Sequence, residues 1–392
     1  MSEVCIGMVG TGWAGRMHAR SYKHITGVDC RLKTACSLDP DLPDFAAKNN
    51  FETYTSDFEE LIKDPEIDVV DVITPPDTHI DMLKKALQAG KHVICEKPLT
   101  GYFGLPGDPE LVGTVSKLKM LEYTLKEMDG LEKVLKASGR QFFYAENWVY
   151  SPVLLRAVEL IKAKKTKLIQ ISGITGHRGS SAKYAKYWRS SGGGALSRQG
   201  IHPITAALFI KRCEMEARGE PYEVTRLQCD IANITKGLNK SDREFIIADL
   251  DDVEDWSNTV ITFNDGTKAN LVAGDIYLGN WLNRMELYGS DGVCNINMSP
   301  NNILDVYFTN QEGIEDAYIM DRSEHNIGWK HALILEEYIK GYIGELQDFL
   351  ECAVTGRAPL AGFELAKEAV IVIQCGYLSA ELGRTVEMKD YI

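Results

Sequence analysis

The chain has 392 residues, 44% of them hydrophobic, with a formal net charge of -13 and a pI near 5.2. That length suits two domains, each able to bury a core without disulfide or metal staples. The acidic balance argues against a nucleic-acid surface, whose affinity rests on clustered Lys and Arg. The nine cysteines are odd in number and scattered, without C-x-x-C or zinc-like spacing, and read as free thiols in a reducing cytosol. No apolar run reaches the ~18 residues of a membrane span, no charged and apolar leader precedes the first strand, and the histidines form no H-E-x-x-H pair. A cytoplasmic protein acting on small molecules is expected, with no nucleic acid, membrane or metal partner.

Residues 4–9 form a short apolar strand, followed by Gly10-Thr-Gly-Trp-Ala-Gly15 and a stretch that can be helical. Strand, glycine turn and helix in that order favour a dinucleotide site: Gly10 for the tight turn, Gly12 for close approach of a pyrophosphate, Gly15 for helix packing. Thr11, Trp13 and Ala14 share that loop and are candidate cofactor contacts with it. A second strand, 31–37, ends at Ser37, where a carboxylate would accept ribose hydroxyls and an arginine would accompany a 2'-phosphate. Ser37 offers neither, and Asp39 lies in a helix-capping context. The missing arginine leans the assignment to NAD, with NADP left open.

A helix over 57–63 and a strand over 67–73 come next, ending in Thr74-Pro-Pro-Asp-Thr-His79. Thr74 and Pro75 border the same crevice; His79 is either a cofactor contact or a helix-start residue. The following helix places Ile80, Leu83 and Leu87 on one face. Strand 93–95 then delivers Glu96 and Lys97 and is stopped by Pro98. Ligands sit outside the carboxyl ends of parallel strands, so Lys97 is a candidate for chemistry and Glu96 for the cofactor border; the bland alternative is a structural Lys97 paired with Glu96. The alternation of strand and helix predicts an α/β doubly wound sheet.

Between Pro98 and Gly139 the run from Tyr102 to Pro109 precedes a long helical stretch, and segment 99–138 is read as a lid, a partner contact or a plain surface insertion. Strand 141–144 closes a first domain, 1–148. The second, 149–392, contains strand-like runs at 167–173, 226–231, 257–263, 268–273 and 284–287, separated by turn signals such as Asn264-Asp-Gly266. Helices are expected over 344–354 and 363–381, with room for these last helices to fold back on the first domain.

Gly10 to Gly15, Thr74 to His79 and Glu96-Lys-Pro98 are followed, in order, by Trp188-Arg-Ser-Ser-Gly-Gly-Gly-Ala-Leu196, Gly200-Ile-His202, Val253-Glu-Asp255, Leu287-Tyr-Gly-Ser-Asp-Gly292 and Gly383-Arg-Thr-Val386. This collinear set resembles the Gfo/Idh/MocA oxidoreductase family, named for glucose-fructose oxidoreductase and inositol dehydrogenase. The resemblance implies an N-terminal Rossmann domain and a C-terminal α+β domain with an open, mostly antiparallel sheet. It also implies an NAD(P)-dependent dehydrogenase acting on CH-OH groups of a carbohydrate-like substrate, assembled as a homo-oligomer, dimer or tetramer.

Removing hydride from a secondary alcohol requires a base for the hydroxyl proton. The resemblance gives that role to Lys97 and a relaying role to His202, expected in a loop entering a helix. Relatives often carry an aspartate four residues before this histidine, where this chain has Arg198. Arginine cannot act as a base, which leaves Lys97 and His202 as the titrating pair and Arg198 either to add positive field or to bind substrate oxygen. Asn147, Arg178, Trp188, Arg198 and His202 are the candidate substrate contacts. Trp188 would stack on a sugar or pack the domain interface, and His177, Arg178 and the run 183–187 would reach substrate or lie in a solvated loop. The expected reaction is oxidation of a hydroxyl of a sugar, a glycoside (C3 being the finer assignment) or a cyclitol. A reductase of another small carbonyl compound and a non-catalytic dinucleotide-binding regulator are the alternatives.

Overall fold

The structure is a computed structural model that describes residues 3–180, 182–279, 281–299, 305–312, 315, 327–331 and 336–392. The first half alternates β1 (Glu3–Val9), α1 (Trp13–Ser21), β2 (Asp29–Cys36), α2 (Leu42–Asn49), β3 (Thr53–Thr55), α3 (Phe58–Lys63), β4 (Val69–Val72), α4 (His79–Gln88), β5 (His92–Glu96), α5 (Lys117–Ser138) and β6 (Phe142–Ala145). Its strands lie in the order β3-β2-β1-β4-β5-β6, every neighbouring pair parallel. All four residues of β4 are buried, as a strand covered by helices on both faces requires. The order reverses between β1 and β4, so the crevice outside their carboxyl ends is the place where such a sheet binds ligands.

The second half adds α6 (Pro152–Lys164), β7 (Leu168–Gly176), α7 (Trp188–Ser191), α8 (Ile201–Arg218), β8 (Val224–Ala232), β9 (Trp256–Phe263), β10 (Lys268–Gly274), β11 (Leu282–Gly289) and β12 (Val293–Asn297). A ribbon of β13 (Asp305–Phe308) and β14 (Gly328–His331) follows, then α9 (Glu336–Ile339), α10 (Tyr342–Thr355), α11 (Phe363–Leu382) and β15 (Val386–Glu387). The large sheet runs β12-β11-β7-β10-β9-β8-β15. Only β7 and β10 pair in parallel; the other pairs are antiparallel. Burial alternates along β11, the pattern of a sheet with one face on a core. The edge strands β12 and β15 are additions to the expected set, because Val-Cys-Asn-Ile-Asn and a two-residue strand carry too little periodicity to be read from sequence.

The last two long helices return to the first half. Phe349 of α10 stacks on Phe143 of β6, ring centroids 5.3 Å apart, and meets Tyr150 edge-on at 5.4 Å. The Tyr150 hydroxyl donates to Asp348 at 2.9 Å and accepts the Ala361 N–H at 2.9 Å. Helix α11 packs between α5 and β8 and is buried on nearly every side, so it is core to both sheets.

Because Phe349 is fully buried between these elements, Phe349→Ala is expected to cost about 3–5 kcal/mol of stability. Chemical denaturation of the variant beside the parent checks this; a loss below about 1 kcal/mol would contradict the assigned packing.

Candidate active site

β5 and β6 end side by side, and each releases functional groups. Beyond β5, the Glu96 carboxylate accepts the Lys97 N–H at 2.8 Å, and the Lys97–Pro98 peptide is cis. Lys97 is half-buried, and its Nζ donates to the backbone carbonyl of Arg198 at 2.9 Å, across 101 residues of sequence. Beyond β6, Glu146 is wholly buried and lies 2.6 Å from Nδ1 of His202. A carboxylate on that nitrogen fixes the tautomer with the proton on Nδ1 and leaves Nε2 as the acceptor. Trp148 stacks on the imidazole at 5.6 Å, with planes 12° apart. Burial lowers the His202 pKa below the ordinary imidazole range, opposed by the Glu146 carboxylate and reinforced by the charge of Lys97.

Glu146 is the principal residue that the sequence reading missed. The rule that selected Lys97, a polar residue released at the carboxyl end of a parallel strand, applies equally to it. His202 was expected in a loop entering a helix; it stands instead in the first turn of α8, preceded by a π-helical turn over Leu196–Gly200.

Several other expectations are corrected. The Arg198 guanidinium donates to the buried carboxylate of Asp275 at 2.8 Å, so its charge is neutralised in place and its carbonyl, not its side chain, meets Lys97. Trp188 is 2% exposed: its Nε1 donates to the Tyr102 carbonyl at 3.0 Å, Tyr377 lies against its ring at 4.6 Å, and the Lys117 ammonium sits over it at 4.6 Å. The indole therefore packs an interface and presents no face to a sugar. Asn147 is buried and donates its amide to the Lys340 carbonyl at 2.6 Å, which makes it a tie between segments. Arg178 follows β7 as expected, half-buried, and its carbonyl accepts the Ile247 N–H at 2.8 Å. His177, beside it, is buried, accepts the Gly179 N–H on Nδ1 at 3.0 Å and meets Gln199 through Nε2 at 3.0 Å.

The segment after Pro98 is neither a loose insertion nor an open cover. Tyr102 is fully buried, its hydroxyl donates to Asp108, and Asp108 also accepts the Leu105 N–H at 2.8 Å and pairs with Lys119 at 2.6 Å. This wraps the segment onto Trp188 and the glycine turn that follows. Glu254 holds the far side of that turn, accepting from Gly194 at 3.1 Å, Leu196 at 2.9 Å and Tyr377 at 2.8 Å. Burial raises its pKa to about 7 against the pull of those donors.

On the nucleotide side, Gly10 has φ +107°, and a Cβ there would lie 2.4 Å from the Ile73 carbonyl oxygen; a Cβ on Gly15 would lie 2.3 Å from that of Gly10. Those two glycines are required by backbone contact. A Cβ on Gly12, by contrast, meets nothing within 4 Å, so the space over the start of α1 is open where backbone N–H groups and the helix dipole favour a pyrophosphate. Thr11 donates to Ser37 at 2.9 Å, and Ser37 accepts the Asp39 N–H at 3.1 Å. Ala14 is half-buried behind the loop, while Trp13 is exposed and faces Trp281 and Tyr342 of the second half at 6.1 and 6.2 Å. Thr74 bonds Thr78 at 2.7 Å, and Pro75 is exposed at the rim. Of the two readings of His79, the structure has the helix-start one: it opens α4, buried, with its two ring nitrogens 2.9 and 3.0 Å from the carbonyls of Thr74 and Pro98. It binds the β4 and β5 exits together.

Glu96 also faces inward. His18 lies under the glycine loop with Nδ1 2.9 Å from Asp71 and Nε2 3.6 Å from both Glu96 and Glu345. Burial alone would discharge it, yet these carboxylates hold its pKa well above the ordinary range, while burial pushes Glu345 well above the carboxylate range. A separate cleft of about 420 Å³, lined by Glu3, Asp68, Lys91, His92 and Arg140 among others, opens at the amino ends of the strands, opposite this chemistry. Among the described residues, no group of three His, Cys, Asp or Glu side chains is placed to hold a metal ion, and no helix is long and apolar enough to cross a membrane.

Comparison with known proteins gives a consistent family. Residues 4–103 match the model of an oxidoreductase family with an NAD-binding Rossmann fold, and residues 156–295 match the GFO/IDH/MocA C-terminal domain. The chain is 26% identical over 390 residues to the myo-inositol 2-dehydrogenase of Thermotoga maritima, covering 99% of each. It is 36% identical over 107 residues to the levoglucosan dehydrogenase of Pseudarthrobacter phenanthrenivorans, a match covering 25% of this chain and 27% of that one. The fold is also that of GenD2 from gentamicin A biosynthesis, solved in complex with NAD, at a TM-score of 0.77, 20% identity and coverage of 99% and 97%.

Two substitutions test the geometry. Gly12→Ala is expected to leave the melting temperature of the free protein unchanged while weakening NADH binding about tenfold, equivalent to about 1.4 kcal/mol; Gly15→Ala, driven into backbone, should instead lower the melting temperature. Fluorescence titration and thermal melts separate the two. Glu146→Gln removes the charge that raises the His202 pKa, so the acid limb of kcat/KM should move to lower pH while the rate falls on the order of 10²-fold. An acid limb that stays in place would show that His202 is not the group it reports.

Proposed function

The chain belongs to the Gfo/Idh/MocA family of NAD-binding oxidoreductases, and from that premise we propose that it oxidises a secondary hydroxyl of a sugar, glycoside or cyclitol to the ketone, with Lys97 and His202 handling the hydroxyl proton. The observation that carries this reading is the convergence of Lys97, anchored on the Arg198 carbonyl, with the His202–Glu146 pair at the carboxyl ends of β5 and β6. The names of relatives, myo-inositol 2-dehydrogenase and levoglucosan dehydrogenase, support a carbohydrate-like substrate; C3 of a glycoside ring is the finer assignment.

When bound, NAD supplies the acceptor for the hydride that leaves the carbinol carbon. Gly10, Thr11, Gly12 and Trp13 would hold it over the start of α1, with Ser37 near the ribose and Thr74 and Pro75 at the rim. The chain itself has to remove the hydroxyl proton. Lys97, in its neutral form, keeps one N–H on the Arg198 carbonyl and has its lone pair for that proton. His202 follows as the relay: its Nε2 accepts, and the Glu146 carboxylate stabilises the imidazolium that forms. Because burial depresses its pKa, the imidazole is neutral and able to accept at neutral pH.

Lys97→Ala should abolish turnover, by 10²-fold or more on the order expected for a general base, while NADH still binds. NAD reduction with a panel of cyclitols, sugars and glycosides, followed by absorbance, measures it. Near-normal turnover in that variant would sink the lysine-base mechanism, and no reduction with any member of the panel would favour a non-catalytic role.

A further inference from the structure

Lys97 directly follows a carboxylate, Glu96, and an ion pair with it would disable the lysine as a base. An opposite charge beside an amine favours the ammonium, which has no lone pair with which to accept a proton. In the structure Lys97 Nζ donates instead to the Arg198 carbonyl at 2.9 Å and, among the described residues, forms no ion pair with Glu96. Both oxygens of Glu96 are engaged otherwise. One accepts the Lys97 backbone N–H at 2.8 Å, and the other lies 3.6 Å from Nε2 of His18, an ion-pair distance.

The charge that meets Glu96 therefore comes from α1. His18 is wholly buried on that helix, faced by Asp71 of β4, Glu96 of β5, and Glu345 and Tyr342 of α10, while Tyr22 donates to Asp71 at 2.8 Å. Asp71 lies 2.9 Å from Nδ1 and takes the proton of that nitrogen. A neutral ring would then turn the Nε2 lone pair towards Glu96 and Glu345, whereas a protonated Nε2 faces them as a donor. Glu345 does not consume the charge. It is fully buried, and neither of its oxygens has a hydrogen-bond partner among the described residues. A carboxyl group in that setting is held as the neutral acid, and burial pushes its pKa well above the ordinary range. The imidazolium of His18 is left to balance Asp71 and Glu96.

We propose that His18 is a positioning residue for catalysis: as an imidazolium it engages the Glu96 carboxylate and withholds it from Lys97, which leaves the amine on the Arg198 carbonyl and able to accept the substrate proton. The proposal rests on Lys97 being the proton acceptor. A Glu-Lys step that would otherwise close into a structural ion pair is kept open by a residue of the helix that follows the cofactor loop.

His18→Gln keeps a donor of similar reach and removes the charge. Its kcat should fall about tenfold or more, as diversion of about nine-tenths of the lysine population produces, with NADH affinity within about threefold of the parent. Adding Glu96→Gln, whose amide oxygen still accepts the Lys97 N–H, should recover most of that loss, a coupling that a merely structural histidine would not show. An unchanged kcat in His18→Gln, or a double variant no faster than His18→Gln, overturns the proposal. Nitrogen-15 NMR of the parent, with His18 assigned by backbone connectivity, decides the matter even if His18→Gln does not fold. Both ring nitrogens should carry protons at about pH 8, where an ordinary imidazole is neutral; a neutral ring there overturns the proposal. Lys97→Ala is measured in parallel, with the member of the substrate panel that is oxidised fastest. Full activity there would remove the mechanism and this proposal together, while its inactivity beside a normal His18→Gln would remove this proposal alone.

Discussion

The hydrogen bond from Lys97 to the Arg198 carbonyl joins the two halves of the molecule at the carboxyl end of β5. Lys97 leaves a strand whose position is set by the parallel sheet, and Arg198 belongs to a helix that packs on the antiparallel one. A lysine side chain has four rotatable bonds and about 2 kcal/mol of rotamer entropy to lose. A single acceptor that is itself immobile is an economical way to order it. The cofactor loop, the glycine turn and the segment after Pro98 can then be understood as what keeps that acceptor and that donor in register.

Immobility of the acceptor depends on buried electrostatics. The Arg198–Asp275 pair is nearly solvent-free, and removing one partner of such a pair costs about 3–5 kcal/mol because the other is left uncompensated. Asp275 is in turn fixed by its own N–H on the Asp255 carbonyl at 2.8 Å, and Asp255 accepts from Ile234 and Thr235 at 2.8 and 2.7 Å. The path from Lys97 to the large sheet therefore runs through the Arg198 carbonyl and guanidinium to the Asp275 carboxylate, and from the Asp275 backbone to that of Asp255. A change at Asp275 or Asp255 would act on the amine without touching substrate.

How much of this was legible beforehand follows from the range of each interaction. Gly10, Gly15 and Lys97 obey local rules: a turn that needs φ above zero, a helix that crosses its own loop, a strand that ends at the crevice. Such rules need only neighbours in sequence, and they located one edge of the site. Glu146 obeys the same strand-end rule, but what sets it apart from its neighbour Asn147 is the contact with His202, 56 residues away. Asp275 acts at long range, from a segment 77 residues on from Arg198, and no periodicity or spacing marks it. Trp188 stands between two readings for a related reason: an indole near polar residues suits a sugar, but its availability depends on Tyr102, Lys117 and Tyr377, all distant in sequence. Residue type indicates what a side chain can bind, whereas burial decides whether it is free to.

The same distinction changes the electrostatic picture of the centre. An arginine where relatives have an aspartate suggests a site shifted towards positive charge, which would make both Lys97 and His202 poorer proton acceptors. Two unit charges about 4 Å apart interact by about 4 kcal/mol at an effective dielectric constant of 20, enough to matter if Arg198 were unpaired. It is paired, by a carboxylate on β10, so the arginine and its counter-ion form a dipole whose field falls away faster than that of a charge. What remains close to Lys97 and His202 is acidic: Glu146 against His202, and Glu96 beside Lys97. Arg198 therefore adds no unbalanced positive charge here, and from the end of the next strand Glu146 holds the histidine on the side of Nδ1, which leaves Nε2 as the acceptor.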